Sequence, residues 1–224
     1  MKLLHLISLV LLITICLSHS YPQHSNHNNH PEQNTLDPDK ERFYWQMPNR
    51  VLREIGIEDG MVVADVGSGE GYFTLRIAER VGPKGKVFAS DIDKHALQIL
   101  EEKVSEAGLE NIEIIHGRAD NPLLPVGKID LVLMVNVIHL IDDMKTFLKN
   151  VTPSLTENGV LIIVQWDAEK MDFELSDWEE SNRELFTMRT TLRKIYDSNY
   201  EVFKMKTFLP MQNIYFCQPG KIKE

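Results

Sequence analysis

Between residues 61 and 165 strand-like runs alternate with helical segments, and this alternation constrains the fold most. The runs are Met61 to Val66, Lys86 to Ser90, Asn111 to His116, Ile129 to Val135 and Val160 to Gln165. Helical periodicity marks Pro48 to Ile55, Tyr72 to Arg80, Lys94 to Ala107 and Asp143 to Asn150. In the third of these, Ala96, Leu97, Leu100 and Val104 form one apolar stripe. The run Ile129 to Val135 is almost wholly apolar, as a strand covered on both faces must be. Repeated β-α-β units then predict helices on both sides of a parallel sheet. The C-terminal part reads differently. Ser176-Asp177-Trp178-Glu179 has the form of a capping box, and a helix is expected over Thr190 to Asp197. Tyr200 to Phe208 and Gln212 to Cys217 are strand-like and meet across Pro210. So short a join requires an antiparallel pair. The expected fold is α/β, doubly wound and mainly parallel, with one antiparallel strand near the C-terminus.

The first strand runs into Asp65-Val66-Gly67-Ser68-Gly69-Glu70-Gly71-Tyr72-Phe73. A glycine-rich turn between strand and helix lets a ligand approach the backbone closely. Gly67 and Gly69 fit the dinucleotide fingerprint, but Tyr72 stands where its last glycine belongs. Asp65 lies two residues before Gly67, and an acid there suits a cationic ligand better than a pyrophosphate. Asp91 ends the second strand, placed to accept hydrogen bonds from two ribose hydroxyls. Ile92 offers an apolar face to a purine. After the third strand, the Ala119 N–H and the Asp120 carboxylate suit its ring and exocyclic amine. A purine, a ribose, an ammonium and a sulfonium without phosphate describe S-adenosylmethionine.

These segments carry a family resemblance. Trp45-Gln46-Met47-Pro48, Gly60 through Thr74, Val81-Gly82-Pro83, Gly85 through Asp93, and Asp130 through His139 resemble the class I S-adenosylmethionine-dependent methyltransferases. The chain is most similar to the small-molecule branch, and to bacterial methyltransferase-domain proteins with a signal peptide. The resemblance runs from about Phe43 to the C-terminus and is strongest up to Trp166. It implies a Rossmann-like, seven-stranded sheet whose last strand is inserted antiparallel. It implies that Gly67, Gly69 and Gly71 line the methionine part of the cofactor, and Asp65, Ser68 and Tyr72 are counted with them as cofactor-binding residues. Asp91 would hold the ribose, and Ile92, Ala119 and Asp120 the adenine. Asn136 and Val137 would sit near the sulfonium. Asn199-Tyr200 replaces the Gly-Phe that relatives carry before the sixth strand, and asparagine tolerates a left-handed helix end. The fourth strand ends in Asn136-Val137-Ile138-His139, unlike the Asn-Pro-Pro-Tyr of nucleobase and amide methylators.

Methyl transfer is an in-line displacement, so the protein supplies chiefly proximity and alignment. Where the acceptor must lose a proton, His139 is the base candidate, weighed against a helix-capping or packing role. Tyr44, Trp45 and Gln46 lie on the segment that often covers the cofactor in this family. Trp166 and Trp178 are weighed as acceptor-pocket walls against core packing.

The rest of the chain bounds partners and place. Lys plus Arg is 24 against 33 Asp plus Glu, a net charge of −9, which argues against nucleic acid as partner. Residues 1–20 read as a signal peptide: Lys2, then the apolar stretch Leu3 to Leu17, then Ser18-His19-Ser20. Export to periplasm or exterior is expected, with an uncleaved membrane tether through residues 3–17 as the second reading. Residues 21–42 read as a disordered polar leader, in which His24, His27 and His30 are read as low-complexity tail rather than a metal site. The methyltransferase domain is expected over 43–224. Of two cysteines, only Cys217 survives cleavage, which disfavours cysteine-based metal and arsenite chemistry. The leading expectation is thus a methyltransferase with a small-molecule acceptor and no metal. The alternative is a non-catalytic, exported binder of S-adenosylmethionine or S-adenosylhomocysteine. A nicotinamide-dependent oxidoreductase is remote, because Tyr72 breaks the pyrophosphate fingerprint.

Overall fold

The structure is a computed structural model, and it describes residues 38–171 and 183–220. The expected signal peptide, the histidine-rich stretch, the capping box at Ser176 and Trp178 lie outside the described residues. The helices are α1 (Pro38–Gln46), α2 (Pro48–Glu54), α3 (Thr74–Val81), α4 (Lys94–Ala107), α5 (Met144–Val151) and α6 (Met188–Asp197). The strands are β1 (Val62–Val66), β2 (Lys86–Asp91), β3 (Ile112–His116), β4 (Ile129–Val135), β5 (Leu155–Trp166), β6 (Tyr200–Lys206) and β7 (Gln212–Pro219). They form one sheet in the order β3-β2-β1-β4-β5-β7-β6. β1 to β5 pair in parallel, and β7 is antiparallel to both β5 and β6. The expected α/β, doubly wound, seven-stranded sheet is what forms.

Strand alternation explains why β4 must be apolar throughout. Val132 and Met134 point to the layer of α5 and α6, where Phe147, Leu148, Val151 and Ile195 pack. Leu131 and Leu133 point to the opposite layer, against Val51, Leu52, Ile77 and Val81 of α2 and α3. Local signals set several ends. Asp93 caps α4 by accepting from His95 N at 2.8 Å and Ala96 N at 3.3 Å. Asn199 takes φ 59° before β6, the left-handed conformation expected there. Lys170 donates to the Thr207, Leu209 and Gln212 carbonyls at 2.8, 3.1 and 2.8 Å, which ties down the β6–β7 connection.

Two boundaries differ from the sequence reading. β5 begins at Leu155, not Val160: Ile129 pairs with Leu155, and after a register shift Leu131 pairs with Val160. The turn residues Glu157-Asn158-Gly159 therefore form a bulge inside the strand rather than introduce it. A Cβ at Gly159 would lie 2.7 Å from the Ile129 carbonyl oxygen, so only glycine lets the backbones close there. Helix α1 begins at Pro38, so the last five residues of the expected 21–42 leader are helical. Proline suits a first helical turn. The rest of α1 is held by distant partners that periodicity does not reveal: the Trp45 ring packs on Trp166 at 4.9 Å between centroids.

Candidate functional site

The site gathers where the strand order reverses, at the carboxyl ends of β1, β2 and β4. Asp65 sits on β1 at only 2% exposure. Its Oδ2 accepts from the Thr74 hydroxyl at 2.6 Å, from the first residue of α3. Burial pushes the Asp65 carboxyl up to about 6; Thr74 opposes this, Asp91 adds to it, and Arg42 pulls it down.

The loop after β1 is fixed by its own backbone. Gly67 N and Ser68 N both donate to the Ser90 carbonyl, at 2.7 and 3.3 Å, and Gly71 N donates to the Ser68 carbonyl at 3.0 Å. Gly67 has φ 76°, and a Cβ there would fall 2.2 Å from Val137 Cγ2. The glycine thus lets the loop after β4 lie directly on the loop after β1. Gly69 has φ 52° and open space where a side chain would stand, so the loop presents bare backbone. Beside it the Ser68 hydroxyl is buried and without a hydrogen-bond partner. A cradle of open backbone, an unpaired hydroxyl and a buried acid fits the polar, cationic end of S-adenosylmethionine.

Asp91 has a second task that its sequence position did not reveal. Its Oδ2 accepts from Gly69 N at 2.8 Å and its Oδ1 from Asp93 N at 2.9 Å. It therefore locks the glycine loop to the end of β2, and each oxygen keeps a further lone pair for a ligand hydroxyl. Ile92 follows with 60% of its surface exposed, an apolar side chain left open beside that carboxylate. Ala119 and Asp120 form the exposed tip of a tight turn closed by Arg118 N to Asn121 O at 2.8 Å. The Asn150 amide donates to the Asp120 carbonyl at 2.8 Å and holds that tip.

Tyr72 opens the segment that leads from the glycine loop into α3. Its ring stacks with the Arg42 and Arg76 guanidiniums, 3.9 and 4.2 Å from the centroid. Asn136 ends β4 in the left-handed conformation, φ 57°. Its Oδ1 accepts from Gln212 Nε2 at 2.7 Å, Gln212 Oε1 accepts from Gln46 Nε2 at 3.3 Å, and Gln46 Oε1 accepts from Arg42 Nε at 2.6 Å. This chain docks α1 onto the ends of β4 and β7. Sequence reasoning missed Arg42 and Gln212, because the contact from Gln46 to Gln212 spans 166 residues. Trp45 and Trp166 are half-buried against each other in the same junction.

His139 lies past β4, with the Phe186 ring 5.1 Å away and the Gln165 amide 3.2 Å from its Nδ1. Burial lowers its imidazole to about 4, and the Lys194 charge adds to this, while Gln165 opposes it. The ring is therefore neutral at physiological pH, as a base must be. The structure thus brings Asp65, Gly67, Ser68, Gly69, Asp91 and Val137 around one loop junction.

Known proteins share the family and the fold. Residues 57–212 match the family model described as "Methyltransferase domain". A demethylmenaquinone methyltransferase of Geobacillus stearothermophilus is 30% identical over 115 residues, 51% of this chain and 49% of its own. The chain thus spans about half the length of the curated relatives it matches. A SAM-dependent methyltransferase from Aquifex aeolicus superposes with a TM-score of 0.71 at 25% identity, over 79% of this chain and 92% of that one. A putative type 11 methyltransferase from Sulfolobus solfataricus shares the fold, with a TM-score of 0.61 at 20% identity, over 79% of this chain and 94% of that one. The match over 57–212, on a sheet of this order with a glycine loop at its switch point, places the chain in the methyltransferase-domain family.

Proposed function

We propose that this protein is an S-adenosylmethionine-dependent methyltransferase with a small-molecule acceptor. The observation that carries the reading is the junction of Asp65, the open Gly69 backbone and Asp91 on neighbouring strands. Asp65 and the Ser68 hydroxyl would face the charged methionine end, with the open side of Gly69 leaving room for it. Asp91 would take the ribose hydroxyls, and Ile92, Ala119 and Asp120 the adenine. Asn136 and Val137 would border the sulfonium, which supplies the activated methyl carbon when the cofactor is bound. His139 would accept a proton from the acceptor. The relatives named for demethylmenaquinone support a small organic acceptor rather than a macromolecule.

Asp65 gives this reading a pH signature. Its carboxyl sits at about 6 in the folded protein, above the ordinary 3.8. The free protein therefore loses stability as pH rises between these values, because the fold holds the proton more tightly than the unfolded chain. A bound cation favours the carboxylate, so the sign reverses for binding. Affinity for S-adenosylmethionine should rise as pH climbs through about 6 and level off above it, a gain of roughly tenfold from about pH 5. Asp65→Asn should flatten the profile. Affinity unchanged across that range in the wild type would separate Asp65 from the ligand.

The activity itself is tested with methyl-labelled S-adenosylmethionine and a panel of hydroxylated aromatic and quinol acceptors. Label in an organic product, absent with His139→Gln, is expected where the acceptor must lose a proton. Cofactor binding without transfer to any acceptor would favour the non-catalytic binder. Export stays part of the proposal: the exported protein should begin near Tyr21 on N-terminal sequencing. An intact Met1 would favour the tether through residues 3–17 or a cytosolic protein.

A further inference from the structure

Behind His139 lies a buried polar cluster that cofactor binding does not use. Gln165 is fully buried on β5, and Asn213 is fully buried on β7. The two stand directly opposite each other in the β5–β7 register, so their side chains share one face of the sheet. Asn213 Nδ2 donates to Asp167 Oδ2 at 2.7 Å, and Asp167 is itself buried. A carboxylate only accepts, so this contact fixes which way the Asn213 amide points. Its Oδ1 is then left without a donor.

Gln165 has the same deficit. With its Nε2 set 3.2 Å from His139 Nδ1, its Oε1, like Asn213 Oδ1, has no partner among the described residues. Two unpartnered amide oxygens on directly opposed, buried residues are an unfavourable arrangement. A half-turn of the Gln165 amide about its last torsion would exchange its donor and acceptor. Gln165 Oε1 would then accept from His139 Nδ1–H, and Gln165 Nε2 would be the donor available to Asn213 Oδ1 across the β5–β7 pair. Amide orientation follows from such a network rather than from shape, since oxygen and nitrogen are nearly isosteric.

We propose that Asp167, Asn213 and Gln165 form a positioning chain that holds His139 as the Nδ1–H tautomer, with its Nε2 lone pair free to take the acceptor's proton. This rests on the methyltransferase reading above. The acceptor's O–H or N–H bond breaks and the proton goes to His139 Nε2. The freed electron pair forms the bond to the methyl carbon, and the carbon–sulfur pair stays on sulfur, leaving a neutral thioether. A neutral imidazole has one N–H, so the tautomer decides whether Nε2 is a base or a donor. The opposite tautomer would point a proton at the acceptor and block the step. The logic is that of a carboxylate orienting a catalytic histidine, here with two amides between. Among the described residues, the charged groups near the chain include Asp167 at its far end, Lys170 and Arg183 beside it, and Lys194 of α6, whose Nζ donates to the Ile138 carbonyl at 3.0 Å.

The test reads the ring nitrogens directly. Long-range proton–nitrogen NMR correlations of the 15N-labelled full chain near neutral pH are assigned to His139 by their loss in His139→Gln. The expected pattern is a protonated Nδ1 and a bare Nε2. Gln165→Met should shift the ring toward the Nε2–H tautomer, and Gln165→Glu, still an acceptor, should retain Nδ1–H. An Nε2–H ring in the wild type overturns the proposal even if no variant folds. A folded Gln165→Met protein with an unchanged tautomer overturns it as well. Calorimetric titration of the same wild-type sample with S-adenosylmethionine separates the two claims: lost cofactor binding sinks the enzyme reading and leaves the tautomer result to stand by itself.

Discussion

Alanine in place of Asp91 is expected to weaken binding of S-adenosylmethionine about a hundredfold or more, the loss of two charge-assisted hydrogen bonds at about 1.5–3 kcal/mol each. Two effects add. The ribose hydroxyls lose their carboxylate, and Gly69 N and Asp93 N lose the acceptors that hold the loop in place. Asp91→Asn separates them. Its single amide oxygen still accepts from one backbone N–H, so the loop keeps part of its tether while the ribose loses the charge. Titration calorimetry on the three proteins should order the affinities as wild type, Asn, Ala. Equal affinity in wild type and Ala would mean that Asp91 neither meets the ligand nor holds the loop in a form that binding needs.

The second large effect concerns stability. Gln212 is fully buried and supplies both a donor and an acceptor, to Asn136 Oδ1 and from Gln46 Nε2. Leucine at this position leaves two groups without partners, for a loss of about 2–4 kcal/mol. For a domain of this size the melting temperature should fall by roughly 5–15 °C in thermal denaturation. The Gln46→Leu, Gln212→Leu double variant should lose less than the sum of the singles, because both belong to one network. Strict additivity would contradict the docking of α1 through this chain.

What the sequence could show and what it could not divide along physical lines. Signals that act within a few residues were legible: the two-sided apolar run of β4, the Asp93 cap, the left-handed Asn199 and the short β6–β7 join. The glycine loop with Asp65 and Asp91 was legible because its meaning lies in residue type at fixed spacing. Contacts set by the tertiary fold were not. Helix α1 is amphipathic only with respect to Trp166, Tyr72 and Gln212, none of them near it in the chain. The bulge at Gly159 depends on how β4 lies beside β5. The guanidiniums of Arg42 and Arg76 against the Tyr72 ring are likewise set by the tertiary fold. Gln165 and Asn213 carry no motif at all; only the cross-strand register brings them together.

The central claim is that the crevice at the ends of β1, β2 and β4 is built for a cationic, phosphate-free nucleoside. Calorimetric titration of the full chain with S-adenosylmethionine, S-adenosylhomocysteine and NAD tests it most directly. The account predicts micromolar binding of the first two and none of the third. A folded protein that binds neither S-adenosyl compound, or that prefers NAD, would contradict it.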